Sequence, residues 1–110
     1  MNYQISYHLE IKKDISGIPK NIKTRIKKAI EHRLLSDPIK YGVPLRRSLQ
    51  GYRKLRVGNY RVIYKIEGND IIVLKIGHRK EVYDKPITQR GLVSKVESNN
   101  KTSNNSLPRF

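Results

Sequence analysis

The middle of the chain alternates between apolar and polar residues, and this alternation predicts three short strands at residues 52–57, 60–66 and 71–76. Gly58-Asn59 separates the first two strands, and the turn-forming sequence Glu67-Gly68-Asn69-Asp70 separates the second from the third. Successive side chains of a strand lie on opposite faces of a sheet, so the parity of its position assigns each residue to a face.

The two faces of this predicted sheet differ in chemistry. One is apolar and collects Leu55, Val57, Tyr60, Val62, Tyr64, Ile66, Ile72, Leu74 and Ile76. The other, called the cationic face below, collects Lys54, Arg56, Arg61, Lys65, Lys75 and, just beyond the last strand, Arg79. The acidic Glu67 and Asp70 are assigned to the turn, remote from these cations. A solvated face usually mixes both signs of charge, so a face of one sign is a better match to a surface that binds phosphates.

The sequence before these strands predicts a strand and two helices. Residues 2–9 alternate as in a half-buried strand, or as in a strand that runs into a helix near His8, and Glu10 to Ser16 is predicted to be a short helix. The clearest helix runs from Pro19 to about Leu35. Its apolar side chains form one stripe at helical spacing: Ile22, Ile26, Ala29, Ile30 and Leu34. These elements indicate an α+β fold in two layers, with the stripe packed on the apolar face of the sheet.

Two stretches carry weaker patterns. Residues 38–51 are predicted to be a linker that Leu45 and Leu49 attach to the core. From Gly91 onward the chain is rich in Asn and Ser and has little to bury, which predicts a flexible polar tail over residues 91–110. The folded domain is therefore expected to span residues 1–90.

Composition narrows the possible partners. The chain has 110 residues and a formal charge of +15, which favours nucleic acid, a strongly acidic protein or, as the weakest candidate, an anionic membrane surface as a partner. The longest aliphatic run, residues 71–74, is far too short to span a membrane, and the N-terminal residues do not resemble a signal-peptide core. Cysteine is absent, which agrees with a cytoplasmic location, and His8, His32 and His78 have no metal-ligand spacing. We therefore expect neither membrane insertion nor a bound metal.

Two motifs together resemble the RelE/ParE superfamily of toxins from type II toxin–antitoxin operons. They are LRVGNYRVIYKI at residues 55–66 and IIVLKIGHRKEVY at residues 71–83, and the resemblance covers about residues 2–85. It implies a small antiparallel sheet packed on an N-terminal helical hairpin (the RelE-like microbial ribonuclease fold) and no cofactor. In this superfamily the RelE branch cleaves mRNA in the ribosomal A site, whereas the ParE branch poisons DNA gyrase. A cognate acidic antitoxin is the expected partner in either case.

The RelE resemblance also assigns roles to four residues. By position, Lys54 and Arg61 match the cations that stabilise the scissile phosphate, Arg79 matches the residue at the leaving group, and Tyr83 matches the general base. Parity independently places Lys54, Arg61 and Arg79 on one face. A tyrosine hydroxyl is ordinarily protonated at neutral pH, and neighbouring cations would favour its ionised form.

Further basic residues are expected to bind the RNA backbone: Arg46, Arg47, Arg53, Arg56, Lys65, Lys75 and Lys80. Two features depart from the RelE pattern, since Tyr52 stands where the branch often has another lysine, and the interval from Arg79 to Tyr83 is short. His78 is the rival general base, but its parity places it on the apolar face and favours a structural role.

The sequence is compatible with three functions. The leading hypothesis is a metal-independent, ribosome-dependent endoribonuclease that cleaves translated mRNA, and Tyr83 with Arg79 favours it because ParE-type chains generally lack the terminal tyrosine. The alternatives are a gyrase-inhibiting toxin and a non-catalytic module that binds nucleic acid.

Parity also places Ile63, Ile71 and Val73 on the cationic face, which predicts that part of this face is a groove for the antitoxin.

Overall fold

The computed structural model describes residues 3–45 and 51–82. Its elements are β1 (Gln4–Tyr7), α1 (Ile11–Ser16), α2 (Lys20–Ala29), a π-helical segment (Ile30–Leu34), α3 (Pro38–Tyr41), β2 (Val43–Pro44), β3 (Arg53–Val57), β4 (Tyr60–Glu67) and β5 (Asp70–His78). The predicted α+β class is confirmed. Arg46, Arg47, Leu49, Tyr83 and the predicted tail lie outside the described residues. No helix within the described ranges is long and apolar enough to cross a membrane.

The strands form one sheet in the order β1-β5-β4-β3-β2. The predicted strands are confirmed as the antiparallel meander β3–β4–β5. Gly58 and Gly68 have φ values of 60° and 62° at the two tight turns, which is the backbone conformation that hairpin loops require. The N-terminal strand β1 pairs in parallel with β5, so the first and last described strands are neighbours in the sheet. The sheet is therefore mixed: β1 and β5 are parallel, and the other neighbouring strands are antiparallel.

The main core lies between the helices and one face of the sheet. Ile26, Ile30 and Leu34 of the predicted stripe are fully buried, and Ile22 packs at the edge of the same cluster. The predicted helix from Pro19 continues through α2 and then widens into the π-helical segment. This segment keeps two stripe residues in the core and leaves its charged residues at the surface.

The predicted linker contains secondary structure, so this part of the prediction is wrong. The Asp37 side chain accepts a hydrogen bond of 3.0 Å from the Lys40 backbone N–H and caps α3, whose first residue is Pro38. The chain then reaches the edge strand β2. Gly42 lies where an added Cβ would overlap the Tyr64 hydroxyl. That hydroxyl donates a 2.6 Å hydrogen bond to the Pro38 carbonyl and fastens the segment to the sheet.

A β-bulge in β5 changes the predicted faces. Ile63 of β4 lies opposite Lys75 while the next residue, Tyr64, lies opposite Val73, so Leu74 is the extra residue on β5. Parity therefore reverses across the bulge. Ile71 and Val73 pack against the helices, whereas Ile72 and Leu74 lie on the cationic face, contrary to the prediction for all four.

The cationic face consequently carries a second, smaller apolar cluster. Tyr52, Ile63, Leu74 and Val82 are buried there, and Leu45 and Ile72 pack against them. Ile63 is completely buried by its own chain, and Ile71 and Val73 are completely buried in the main core. The prediction that these three side chains line an antitoxin groove is therefore wrong in this conformation.

Candidate functional site

Four basic residues of the cationic face, Arg56, Arg61, Lys54 and Lys75, lie in two adjacent rows of cross-strand partners. Arg56 is directly opposite Arg61, and in the next row Lys54 and Lys75 lie on either side of Ile63. This register makes Lys54 the diagonal neighbour of Arg61, a separation of about 7–8 Å that long side chains bridge easily. The predicted phosphate-binding pair thus shares one patch of the sheet.

The guanidinium of Arg61 is held at the β3–β4 turn. Its Nη1 donates to the carbonyls of Gly58 at 3.1 Å and Tyr60 at 2.9 Å. These contacts employ one end of the guanidinium, and no other group in the described part of the chain accepts from its Nε or Nη2, which can donate to an anion. Arg61 is therefore oriented before any ligand binds.

Arg79 is brought to the same turn by a backbone contact. Its N–H donates to the Asn59 carbonyl at 2.8 Å, so the residues after β5 are held beside the β3–β4 loop. The Arg79 and Lys80 side chains are exposed. Arg56, Arg61 and Arg79 consequently surround one end of the sheet.

His78 has contacts that suit a structural histidine. Its Nδ1 accepts a 3.1 Å hydrogen bond from the Lys80 backbone N–H, and its ring packs edge-on against Tyr60 with centroids 5.4 Å apart. Nδ1 is therefore already engaged as a hydrogen-bond acceptor. This geometry favours the structural role predicted from parity.

Two other predicted RNA-binding residues have partners within the chain. Arg53 lies on the helix side of the sheet, where its Nη2 donates to the carbonyls of Ile39 at 2.8 Å and Gly42 at 2.9 Å. Lys65 forms a 2.7 Å ion pair with Glu67, the last residue of β4. The expectation that Glu67 is remote from the cations is therefore wrong, because β4 extends into the predicted turn.

One positioning residue was missed by sequence reasoning. The Asp14 carboxylate in α1 accepts a 3.0 Å hydrogen bond from the Ile76 backbone N–H. Strand β1 ends its pairing opposite Val73, so it provides no backbone acceptor for the Ile76 N–H. The Asp14 carboxylate accepts the hydrogen bond from this N–H instead. It thereby helps to hold the part of β5 that leads to Arg79. An isolated aspartate in a short amphipathic helix carries no sequence signal for such a contact.

Two tyrosines that pack in the main core, Tyr7 and Tyr64, have raised pKa values. Burial, with a smaller effect of the Glu31 charge, raises the pKa of Tyr7 far above its ordinary value. Burial also raises the pKa of Tyr64, partly opposed by the hydrogen bond and charge of Arg53. Both phenols therefore stay protonated.

Among the described residues, no group of three or more His, Asp or Glu side chains could hold a metal ion.

This chain is similar to known toxins in its sequence. The sequence profile for the ParE toxin of type II toxin–antitoxin systems matches residues 5–83. The toxin RelG of Mycobacterium tuberculosis is 29% identical over 85 residues, which span 76% of this chain and 98% of RelG. The toxin RelE3 of Methanocaldococcus jannaschii is 35% identical over 75 residues, which span 66% of this chain and 85% of RelE3.

The fold has a solved counterpart as well. The RelBE2 toxin–antitoxin complex of Mycobacterium tuberculosis contains a chain that superposes with a TM-score of 0.66 and 27% identity. The superposition covers 72% of this chain and 100% of that one.

Proposed function

We propose that this chain, which belongs to the ParE toxin family of type II toxin–antitoxin systems, is an endoribonuclease that cleaves mRNA on the ribosome without a metal ion. The similarity to the toxins RelE3 and RelG supports placing the chain in the RelE-like branch of this superfamily. The proposal joins that likeness to the chemistry of the cationic face.

The observation that carries the proposal is the direct pairing of Arg56 with Arg61. Like charges opposite each other in an antiparallel pair destabilise a sheet. Arg79 adds a third cation at the same end, through the contact of its backbone with Asn59. Such repulsion is relieved when a phosphate binds between the cations, so the arrangement is suited to a polyanionic substrate.

Cleavage without a metal ion uses the ribose 2′-hydroxyl of the RNA as nucleophile. In our proposal Tyr83 removes its proton, and the 2′-oxygen attacks the adjacent phosphorus. Lys54 and Arg61 stabilise the negative charge that develops on the phosphate oxygens. The 5′-oxygen leaves beside Arg79 and takes its proton from solvent water or, as a secondary role, from the Arg79 guanidinium, so the products are a 2′,3′-cyclic phosphate and a 5′-hydroxyl. Arg79 contributes charge first, because a guanidinium is a poor proton donor.

The contacts of Val82 support this proposal. Val82, which precedes Tyr83 in the sequence, is completely buried in the apolar cluster of the cationic face. It is also held to the end of β5 by the hydrogen bond from its N–H to the His78 carbonyl at 2.8 Å. The chain is thus anchored on the face that carries Lys54 and Arg61.

We also propose that an acidic antitoxin neutralises the chain. The formal charge of +15 favours such a partner, and the related RelBE2 structure is a toxin–antitoxin complex. Coexpression with an acidic product of a neighbouring gene is expected to give a copurifying complex, and recovery of the free chain alone would contradict this part of the proposal.

The test of catalysis is single-turnover cleavage of mRNA on programmed ribosomes. Tyr83→Phe deletes the ionisable oxygen and is expected to slow cleavage about 10²–10⁴-fold, and Arg61→Ala by a similar factor. His78→Ala should cleave near the parental rate if it melts normally. A parental rate for Tyr83→Phe together with an inactive His78→Ala would transfer the base role to His78.

A gyrase-inhibiting function is the second candidate, and the matched family profile, which is that of ParE, favours it. DNA supercoiling and ribosomal cleavage measured with the same preparation separate the two. Inhibition of supercoiling without mRNA cleavage would overturn the nuclease proposal.

A further inference from the structure

We propose that a second surface, the cleft between α2 with its π-helical extension and the β3–β4 hairpin, binds the phosphodiester backbone of RNA. This cleft has a volume of about 420 Å³ and five basic residues in its lining, namely Arg25, Lys28, His32, Arg33 and Arg56. The proposal goes beyond the catalytic roles assigned to the cationic face and does not depend on them.

The helix and the hairpin bring these residues together from distant parts of the sequence. Arg25, Lys28 and His32 follow one another at helical spacings of three and four, so they share one side of the helical layer. The hairpin is close to this side, because the Nη2 of Arg25 lies 3.8 Å from the position that a Cβ on Gly58 would occupy. Arg33 spans the two elements through a long 3.5 Å hydrogen bond from its Nη1 to the Arg56 carbonyl.

The charge of this lining has one sign. Among residues 3–45 and 51–82, no aspartate or glutamate lines the cleft, and Arg25, Lys28, Arg33 and Arg56 are all exposed. Three arginines offer planar, forked donors that match phosphate oxygens. An anion entering the cleft would therefore gain charge-assisted hydrogen bonds without displacing an internal carboxylate partner.

RNA fits this cleft better than an acidic protein segment does. Protein interfaces combine charge with apolar anchors that enter pockets. The apolar side chains lining the cleft, Ala29 and Val57, are each only 8% exposed and already belong to the main core. The large exposed apolar side chains of the described residues, such as Ile39 and Val43, do not line it. The described lining of the cleft therefore offers charged groups to a ligand but little exposed apolar surface.

Arg56 connects the cleft with the cationic face. It lines the cleft, and in the sheet it is the direct partner of Arg61. Strand β2 pairs only with Arg53 and Lys54, so the edge of β3 at Arg56 is not covered by β2. A single phosphate backbone can therefore pass from the cationic face into the cleft around the part of the hairpin edge that β2 does not cover.

The test compares two charge variants of α2 in the full chain. Arg25→Gln/Lys28→Gln removes two cations from the cleft, whereas the control Lys20→Gln/Lys27→Gln removes two exposed cations of the same helix that do not line it. The probe is a short single-stranded 2′-O-methyl RNA, which lacks the attacking hydroxyl and cannot be cleaved by the proposed chemistry. Binding is measured by fluorescence anisotropy over a range of salt concentrations, and melting checks the fold.

The cleft variant is expected to bind the probe about tenfold or more weakly near 0.1 M salt, with a log–log salt slope shallower by about 1.4, because each lost phosphate contact contributes about 0.7. The control should bind within about twofold of the parent. Equal losses in both variants would show a diffuse effect of net charge and overturn the site, as would no loss in either. If the cleft variant instead loses affinity only for a polyglutamate peptide, the cleft is a protein site and the RNA assignment is wrong.

Failure of this inference and failure of the proposed nuclease are distinguishable. Selective loss of RNA binding in the cleft variant would support the site even if the parent cut no mRNA on ribosomes. Ribosomal cleavage by the parent would likewise stand if the cleft variant bound the probe as the parent does.

Discussion

The pairing of Arg56 with Arg61 predicts that one substitution improves folding while it weakens RNA binding. Arg56 is exposed and its partner is half-buried, so Arg56→Gln removes one of two opposed charges without opening the core. If the two guanidinium groups are taken to lie about 7 Å apart, somewhat farther than directly opposed Cβ atoms, they repel by about 0.6 kcal/mol at the dielectric constant of water. Screening near 0.1 M salt, where the Debye length is about 10 Å, reduces this to about 0.3 kcal/mol.

These energies correspond to a rise in Tm of about 1–4 °C for a domain of this size. At about 1 M salt the Debye length falls to about 3 Å, so the gain should nearly vanish. Arg56→Lys is the matched control, since it keeps the charge and should leave Tm unchanged at both salt concentrations. In the RNA-binding assay the two variants should rank in the opposite order, with Arg56→Gln the weaker and its salt slope lower by about 0.7.

Thermal melting at the two salt concentrations therefore decides the question. A lower Tm for Arg56→Gln at 0.1 M salt would show that the two guanidinium groups do not repel in the folded chain. A gain that persists undiminished at 1 M salt would have a cause other than charge. Either result would remove the observation on which the nuclease proposal rests.

Three further perturbations test the core, the α3–β2 segment and the buried phenols. Ile26→Asp places an unpaired charge at a completely buried position and should unfold a domain whose stability is about 5–10 kcal/mol, whereas the exposed Lys27→Asp should melt near the parent. Gly42→Ala should cost about 1–3 kcal/mol in urea unfolding because its methyl group would overlap the Tyr64 hydroxyl, and an unchanged midpoint would refute that tight contact. Burial raises the pKa of Tyr7 and Tyr64, so above about pH 10 the unfolded chain releases these protons first and stability should fall with rising pH. Urea midpoints that rise as the pH increases above about 10 would contradict the raised pKa values of these two tyrosines.

The helical layer was predictable because its pattern is local. Ile26, Ile30 and Leu34 recur at helical spacing, and a helix buries whatever stripe its own sequence supplies. The β3–β4–β5 meander was predictable for the same reason, since Gly58 and Gly68 stand where tight hairpin loops need a positive φ. The grouping of Lys54 with Arg61 followed from parity within strands that have no irregularity before Ile63.

The errors arose where the outcome depends on a partner that is distant in sequence. The extra residue at Leu74 is visible only in the register of β5 against β4, and it exchanges the faces of Ile71, Ile72 and Val73. A bulge leaves the composition of its strand unchanged, so alternation alone cannot reveal it. The meeting of Glu67 with Lys65 likewise required the true end of β4.

Tertiary structure alone also decided which cations are available to a ligand. Arg53 and Arg56 are similar residues on one strand, yet the first donates to the carbonyls of Ile39 and Gly42, whereas the second is exposed at the edge of the sheet. The cleft that holds Arg25 exists only because α2 packs beside the β3–β4 hairpin. Sequence patterning determines which face of an element is buried, because burial follows the periodicity of that element. The surroundings of a charge on an exposed face depend on how separate elements pack, and that packing is a property of the whole fold.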